Sequence, residues 1–381
     1  MTKKFFLIAG EASGDLLGSK LIAELKTQNQ GAEFIGVGGK LMQEQGLRSI
    51  FPMEELSVMG FFEILPHIFK LLSRIRQTAD EIIKTKPDFV ITIDSPDFCF
   101  RVIKKVQNSS AKKIHLIAPS VWAYREGRAQ KISKLYDLLL CILPFEPPFF
   151  EKYGLKTVFV GHPLIANAPD FSKKEEENLA FRQKHKIAAS DLLITLTPGS
   201  RMSEVKRIFP EFIAAINLLA PKFPQIKVAI PLVKKTREMV LQMARDLKVP
   251  YIFVEDDEKK SLLFSANYAM AKSGTNTLEF SLHRIPILIA YKLNPLTHFF
   301  VKRMVKIQYA NLLNLILNEE IIPEMLQDNC EAKKLADVLE KLIEDKNFTQ
   351  NQITKSEIAL KIMGLGSLEN PSLKAAKEIV K

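Results

Sequence analysis

The stretch LITLTPGSRMSE (residues 193–204) decides how this chain folds. The apolar run Leu193 to Thr197 leads straight into Pro198-Gly199-Ser200-Arg201, and a helix is predicted to open behind it at Ser203. An uninterrupted run of that kind is the mark of a parallel strand covered on both faces. A strand turning sharply into a helix aims bare backbone N–H groups, a helix N-terminus and the Arg201 guanidinium at one point, which suits a phosphate. A second glycine-bearing turn, Lys272-Ser273-Gly274-Thr275, follows another apolar run. Two such turns in one half of a chain predict a nucleoside diphosphate held between them.

The same strand pattern recurs on both sides of this stretch. In the first half it occupies residues 4–9, 33–37, 89–93, 113–118, 138–142 and 157–160; in the second, residues 192–196, 227–230, 251–254, 268–271 and 287–290. Helical segments between the runs imply right-handed βαβ units. A length of 381 residues exceeds one ordinary core. The predicted fold is α/β: two doubly wound, Rossmann-like parallel-sheet domains, residues 1–167 and 191–330, facing a cleft. The polar stretch 168–190 is predicted to be the linker, with a helix of its own. Residues 331–381 are predicted to be a helical C-terminal tail that crosses back to the first domain or forms a homodimer contact.

Composition narrows the setting. Hydrophobic residues make up 47% and charged residues 25%, as in a soluble globular protein. Cys99, Cys141 and Cys330 lack paired spacing, which argues against a disulfide framework or zinc site and for a reducing cytoplasm. Lys3 and Lys4 before the run Phe5–Ala9 imitate a signal peptide, but Glu11 ends that run too early. No apolar run is long enough to span a membrane. The net charge of +11 fits a lysine-rich surface or an anionic lipid partner; nucleic acid is disfavoured, since no nucleic-acid-binding signature is present.

Ligands of open α/β sheets sit where strands stop, so the motifs at those points carry the chemistry. Gly10-Glu11-Ala12-Ser13-Gly14-Asp15 is not G-x-G-x-x-G, and Glu11 would oppose a pyrophosphate, which disfavours a nicotinamide enzyme. Its Glu11, Ser13 and Gly14 suit the hydroxyls of a sugar ring, and equally a plain capped turn. Gly38, in Gly36-Val37-Gly38-Gly39, is expected to line the same cleft. Asp94 ends the third run, where a carboxylate takes a proton from a sugar hydroxyl; a turn or cap residue is the alternative. Asp97 is expected to cap the next helix. The absence of D-x-D favours a mechanism without a metal. Ser120, Trp122 and Arg125 offer a hydroxyl, an aromatic face and a guanidinium for sugar or phosphate, with core packing the alternative for Trp122. His162 suits a hydrogen-bonded hinge. Glu279, one turn into a helix, is placed to accept a ribose diol, and the amide of Asn314 to reach the same nucleotide.

In order along the chain, AGEASGD (9–15), MGFFE (59–63), IDSPDF (93–98), PSVWAYR (119–125), LPFE (143–146), GHPL (161–164), PGSR (198–201) and SGTNTLE (273–279) resemble the lipid A disaccharide synthase family. The ordered set is specific where no single motif is. The resemblance implies a GT-B type, inverting, metal-independent glycosyltransferase without a cofactor. It would move a diacylated glucosamine from UDP-2,3-diacylglucosamine to the 6-hydroxyl of 2,3-diacylglucosamine 1-phosphate, giving a β-1,6 disaccharide and UDP. Asp94 matches the family's cleft aspartate and is the candidate general base. Gly199, Ser200 and Arg201 match its PGSR turn. Ser273, Gly274, Thr275, Glu279 and Asn314 match positions expected around UDP. Tyr124 stands where tryptophan is common and Leu313 where proline is common, and the second departure bears on the loop around Asn314.

Acylated substrates live in a membrane. Phe61, Phe62, Leu65, Ile68, Phe69 and Leu72 cluster near Lys70, Arg74 and Arg76, while Glu63 and Pro66 argue against a spanning helix. An amphipathic segment dipping into an anionic interface is one reading and a buried core helix the other. The basic, aromatic stretch 298–306 adds attraction to such a surface. The expected setting is the cytoplasmic side of the inner membrane, peripherally bound. Another GT-B UDP-sugar enzyme (a UDP-N-acetylglucosamine transferase or an epimerase) and a non-catalytic UDP-sugar or lipid-binding protein are the competing readings.

Overall fold

A computed structural model describes residues 2–56, 61–123, 127–294, 298, 303 and 307–381, the side chains of 61–68 and 167 excepted. The chain forms two compact units, Met1–Ala166 with Gly366–Lys381, and Asn167–Leu365.

In the first unit the strands are β1 (Lys4–Ala9), β2 (Glu33–Val37), β3 (Arg48–Ser49), β4 (Phe89–Ile93), β5 (Lys112–Leu116), β6 (Leu138–Cys141) and β7 (Lys156–Phe159). They pair in the order β3-β2-β1-β4-β5-β6-β7, every pair parallel. Phe5 to Ala9 are all buried, as are Leu21, Ile22 and Leu25 of helix Ala12–Gln28 and Ile75, Ala79 and Ile82 of helix Phe61–Thr85. Such burial on both faces is why the strands read as unbroken apolar runs. At the amino end of the sheet the Phe5 ring stacks on Phe34 and Phe89, with centroids 5.3 and 4.9 Å away. The two-residue β3 left no sequence signal: it is too short and polar, and only pairing to Ile35 and Gly36 defines it. Gly36 has φ +149°, and a Cβ there would lie 1.8 Å from the Leu7 carbonyl oxygen.

The second unit holds β8 (Leu192–Thr197), β9 (Ile226–Pro231), β10 (Tyr251–Val254), β11 (Tyr268–Lys272), β12 (Ile287–Tyr291) and β13 (Glu324–Leu326). The order is β10-β9-β8-β11-β12-β13, again all parallel. Helix Met202–Leu219 lays Val205, Ile208, Phe209, Phe212, Ile216 and Leu219 into its core, a stripe at helical spacing. Leu335, Leu339 and Leu342 of helix Ala332–Glu344 join them.

Two expectations about connections change. The stretch 168–190 is built into the second unit: in helix Lys174–Lys184, Phe181 is buried with Ile187 and Leu262, and Arg182 donates to the Ser265 carbonyl at 3.1 Å and to Asn267 Oδ1 at 2.9 Å. Its polar composition is that of a surface helix. The tail divides. Helices Ala332–Glu344 and Lys346–Ile362 belong to the second unit, whereas helix Pro371–Val380 belongs to the first, where Ala375, Ala376 and Ile379 enter the core.

Trp122, which follows β5, is held by a buried acid. Glu146 is 2% exposed; one carboxylate oxygen accepts from the Leu143 N–H at 3.0 Å and the other from the Trp122 indole N–H at 3.3 Å. Burial raises its pKa from the usual carboxylate range to about 7, only partly offset by those donors. The folded protein therefore keeps a proton that the unfolded chain has lost between pH 4.5 and about 7. Stability is greatest below that window and falls as pH rises through it, by on the order of 3 kcal/mol. Urea unfolding at pH 5 and pH 8 is expected to show this loss in the wild type and a much flatter response in Glu146→Gln. Identical pH dependence in the two proteins would contradict it.

Candidate functional site

Each sheet reverses its strand order once, and doubly wound sheets bind ligands at that reversal, outside the carboxyl ends of the strands. In the first unit the reversal lies between β1 and β4, where Ala9 pairs with Ile93, so the chain leaves the sheet at Gly10 and Asp94 side by side. In the second it lies between β8 and β11, where Thr197 pairs with Ala271, so Pro198 and Lys272 come next to each other. The glycine turns and the acid singled out in the sequence stand at these two points.

A cavity of about 230 Å³ opens beside Asp94, walled by Pro96, Ile117, Ser120 and Arg128 among others. Three residues around it hold left-handed backbone: Asp94 at φ +50°, Ser95 at +43° and Ile117 at +77°. For a β-branched residue such as Ile117 this costs on the order of 1–3 kcal/mol. Sheet-type hydrogen bonds hold the strain, Asp94 N–H to the Leu116 carbonyl at 3.1 Å and Ile117 N–H to the Leu140 carbonyl at 3.0 Å. Among the described residues no hydrogen bond or ion pair engages the Asp94 carboxylate. Asp97 does not cap the following helix; it is exposed, with Arg128 3.7 Å away.

The neighbouring glycines divide by role. Gly10 abuts Ser95, whose Oγ would lie 2.3 Å from an added Cβ. Gly14 is buried against Ala9, and Gly38 is enclosed by Leu47 and Met42, 2.6 and 2.8 Å from where its Cβ would stand, so neither leaves room for a sugar. Glu11 is half-buried and makes no capping bond, and Ser13 is exposed. Trp122 is half-buried, held by Glu146 and edge-on to Phe145. Arg125 and Tyr124 lie outside the described residues. His162 is buried, which lowers its pKa to about 4, and its Nδ1 accepts from the Leu164 N–H at 3.3 Å, so a neutral imidazole holds the turn after β7.

The second unit's cavity, about 180 Å³, brings together Gly199, Ser200, Gly274, Thr275 and Glu279. It also gathers two cations, Lys259, which lies outside every sequence motif, and Lys272, which opens the second glycine turn. Lys259 Nζ donates to both Glu279 carboxylate oxygens, at 2.9 and 2.8 Å; twenty positions separate the two in sequence, so no local signal announced the pair. The Thr195 and Thr197 hydroxyls on the cavity wall are buried without a hydrogen-bond partner among the described residues.

The turn amides are not bare. Glu204 folds back as in a capping box and accepts from the N–H groups of Ser200 at 3.2 Å and Arg201 at 3.3 Å. Gly199, at φ +124°, makes room for that carboxylate: a Cβ there would lie 2.6 Å from Glu204 Oε2. Ser273 is turned away, its hydroxyl donating to the Ala310 carbonyl at 3.1 Å. Asn314 is fully buried; its Oδ1 accepts from Ile321 and Ile322 N–H, and its Nδ2 donates to Ile322 O and Glu324. With every polar atom engaged it fixes the loop rather than reaching a nucleotide.

On helix Phe61–Thr85, Phe69 is 81% exposed and Leu72 45%, while Leu71 and Ile75 pack inward. Lys70 and Arg74 both pair with Glu55, at 3.4 and 2.7 Å. The side chains of Phe61, Phe62, Leu65 and Ile68 lie outside the described residues, as does most of 298–306. No helix among the described residues is long and apolar enough to cross a membrane.

Solved structures share this fold at low identity. The UDP complex of MnaA from S. aureus matches with a TM-score of 0.63 and 15% identity, covering 100% of this chain and 95% of that one. A UDP-GlcNAc 2-epimerase from Neisseria meningitidis, bound to UDP-GlcNAc, gives 0.62 and 14%, covering 99% and 98%. Sequence relatives are far nearer. A lipid-A-disaccharide synthase of Rhodospirillum centenum is 41% identical over 98% of this chain and 93% of its own, and one of Rickettsia akari 40% over 100% and 96%. The family described as Lipid-A-disaccharide synthetase matches residues 5–377. With its acid and its glycine turns at the two strand reversals, and with this match over nearly its whole length, the chain belongs to the Lipid-A-disaccharide synthetase family.

Proposed function

We propose that this enzyme transfers 2,3-diacylglucosamine from its UDP derivative to the 6-hydroxyl of 2,3-diacylglucosamine 1-phosphate, with inversion, releasing UDP and a β-1,6-linked disaccharide 1-phosphate. The observation that carries the reading is the family match across residues 5–377, which spans both strand reversals.

In this scheme Asp94, an acid without an internal partner among the described residues, accepts the proton of the acceptor hydroxyl. That oxygen bonds the anomeric carbon while the bond from the same carbon to the diphosphate breaks, its electron pair leaving with UDP. Glu279, steadied by Lys259, keeps lone pairs free for ribose hydroxyls. Side-chain cations at the PGSR turn offset the charge that grows on the leaving diphosphate. Acyl chains keep both substrates at a membrane surface. The outward Phe69 and Leu72, on a protein of net charge +11, suit peripheral adsorption to anionic lipid.

Incubating the purified protein with both substrates and following UDP release tests the chemistry. Asp94→Asn is expected to lower turnover by about 10²–10⁴-fold while leaving UDP affinity unchanged. Turnover that ignores the acyl chains would favour another UDP-sugar enzyme, and bound UDP with no wild-type turnover a binding protein. In a second test, replacing Phe69 and Leu72 together by Ser is expected to weaken binding to anionic vesicles by about tenfold, with the melting temperature preserved. Unaltered vesicle binding would refute the lipid-facing role.

A further inference from the structure

A diphosphate arriving at the PGSR turn meets an obstacle that the sequence did not foretell. The Ser200 and Arg201 amides already donate to Glu204, and that carboxylate is 8% exposed. A buried anion at the mouth of the turn repels a second one, so the turn attracts a diphosphate only if cations outweigh it. Among the described residues two surround Glu204: the Arg201 guanidinium at 3.6 Å and the Lys272 ammonium at 3.3 Å. Arg201 and Glu204 alone would sum to zero. Moreover, the Arg201 side chain is 72% exposed, where water screens it, whereas that of Lys272 is 21% exposed.

Lys272 is also held in place. Its ammonium lies 5.1 Å from the centroid of the Tyr291 ring, on the neighbouring strand, and 3.3 Å from Glu204. It therefore gives up little freedom on meeting a ligand. The same nitrogen stands 3.8 Å from the point where a Cβ of Gly274 would be, over the second glycine turn. One ammonium thus reaches both turns that wall the cavity.

We propose that Lys272 is the principal cation for the diphosphate of the bound nucleotide, and that Glu204 positions it there rather than serving only as a helix cap. The inference rests on the reading that this cavity takes UDP. It assigns the affinity for the diphosphate, as distinct from the nucleoside, chiefly to a residue at the end of β11 instead of the turn amides. As the sugar–diphosphate bond breaks and its electron pair passes to the phosphate oxygen, the ammonium meets the added charge, so its loss reduces kcat as well as affinity.

Calorimetric titration of the full-length protein with UDP and with uridine tests this. Lys272→Met is expected to weaken UDP by about 10- to 100-fold and to leave uridine unchanged. Its UDP affinity should also respond less steeply to salt. Lys272→Arg should recover most of the loss, and thermal melting checks that both variants are folded. UDP affinity within about twofold of wild type in Lys272→Met would overturn the assignment, as would equal weakening of UDP and uridine, which reports cavity damage. A wild-type protein that binds uridine but not UDP would remove the diphosphate role itself. One that binds neither would overturn the nucleotide reading on which the inference stands.

Discussion

A parallel strand cannot return to its neighbour by a tight turn; each needs a crossover, and in an open sheet covered by helices on both faces the crossovers set off in opposite directions from one point. That constraint governs both units. Where β1 meets β4 and β8 meets β11, the connections diverge, and the chain leaves the sheet in sharp turns. The apolar residues of the strands do no chemistry, but their registers fix which turn residues become neighbours. Ala9 opposite Ile93 and Thr197 opposite Ala271 bring together residues that are far apart in sequence.

This is also why so much was legible. Strands buried on both faces must be apolar throughout, so β1, β2, β4 and β10 stand at the residues that the sequence indicated, and most others differ by a residue or two. Asp94, Ser120, Gly199, Ser200, Gly274, Thr275 and Glu279 follow strand ends or lie near them and do line cavities. What stayed hidden was the set of partners. Gly38 resembles a ligand-facing glycine until Met42 and Leu47 are seen filling its space. Asn314 carries a ligand-like amide, but the backbone of residues 321–322 uses it. Lys259 is joined to Glu279 only through the fold. A sequence displays a side chain's capacity; its engagement depends on chain that arrives from elsewhere.

Charge in the second unit is organised before any ligand arrives. Lys259 is matched to Glu279, and Glu204 is shared among two amides, Arg201 and Lys272. Groups held in this way need little reorganisation when charge moves, which is the physical basis of electrostatic preorganisation. The first unit works differently. Its acid is left without a partner among the described residues, in a stretch of strained backbone that the sheet holds in place.

The division of the C-terminal helices bears on how the protein is made. Residues 167–365 form the second unit, but helix Pro371–Val380 completes the first, supplying Ala375, Ala376 and Ile379 to a core begun at β1. On the ribosome, the amino-terminal sheet emerges early and then waits for the whole second unit to be synthesised before its last apolar face is covered. During that interval the groove along helix Ala12–Gln28 is open to water and to other nascent chains. The arrival of helix Pro371–Val380, rather than emergence of the first sheet, is therefore the step that completes this core.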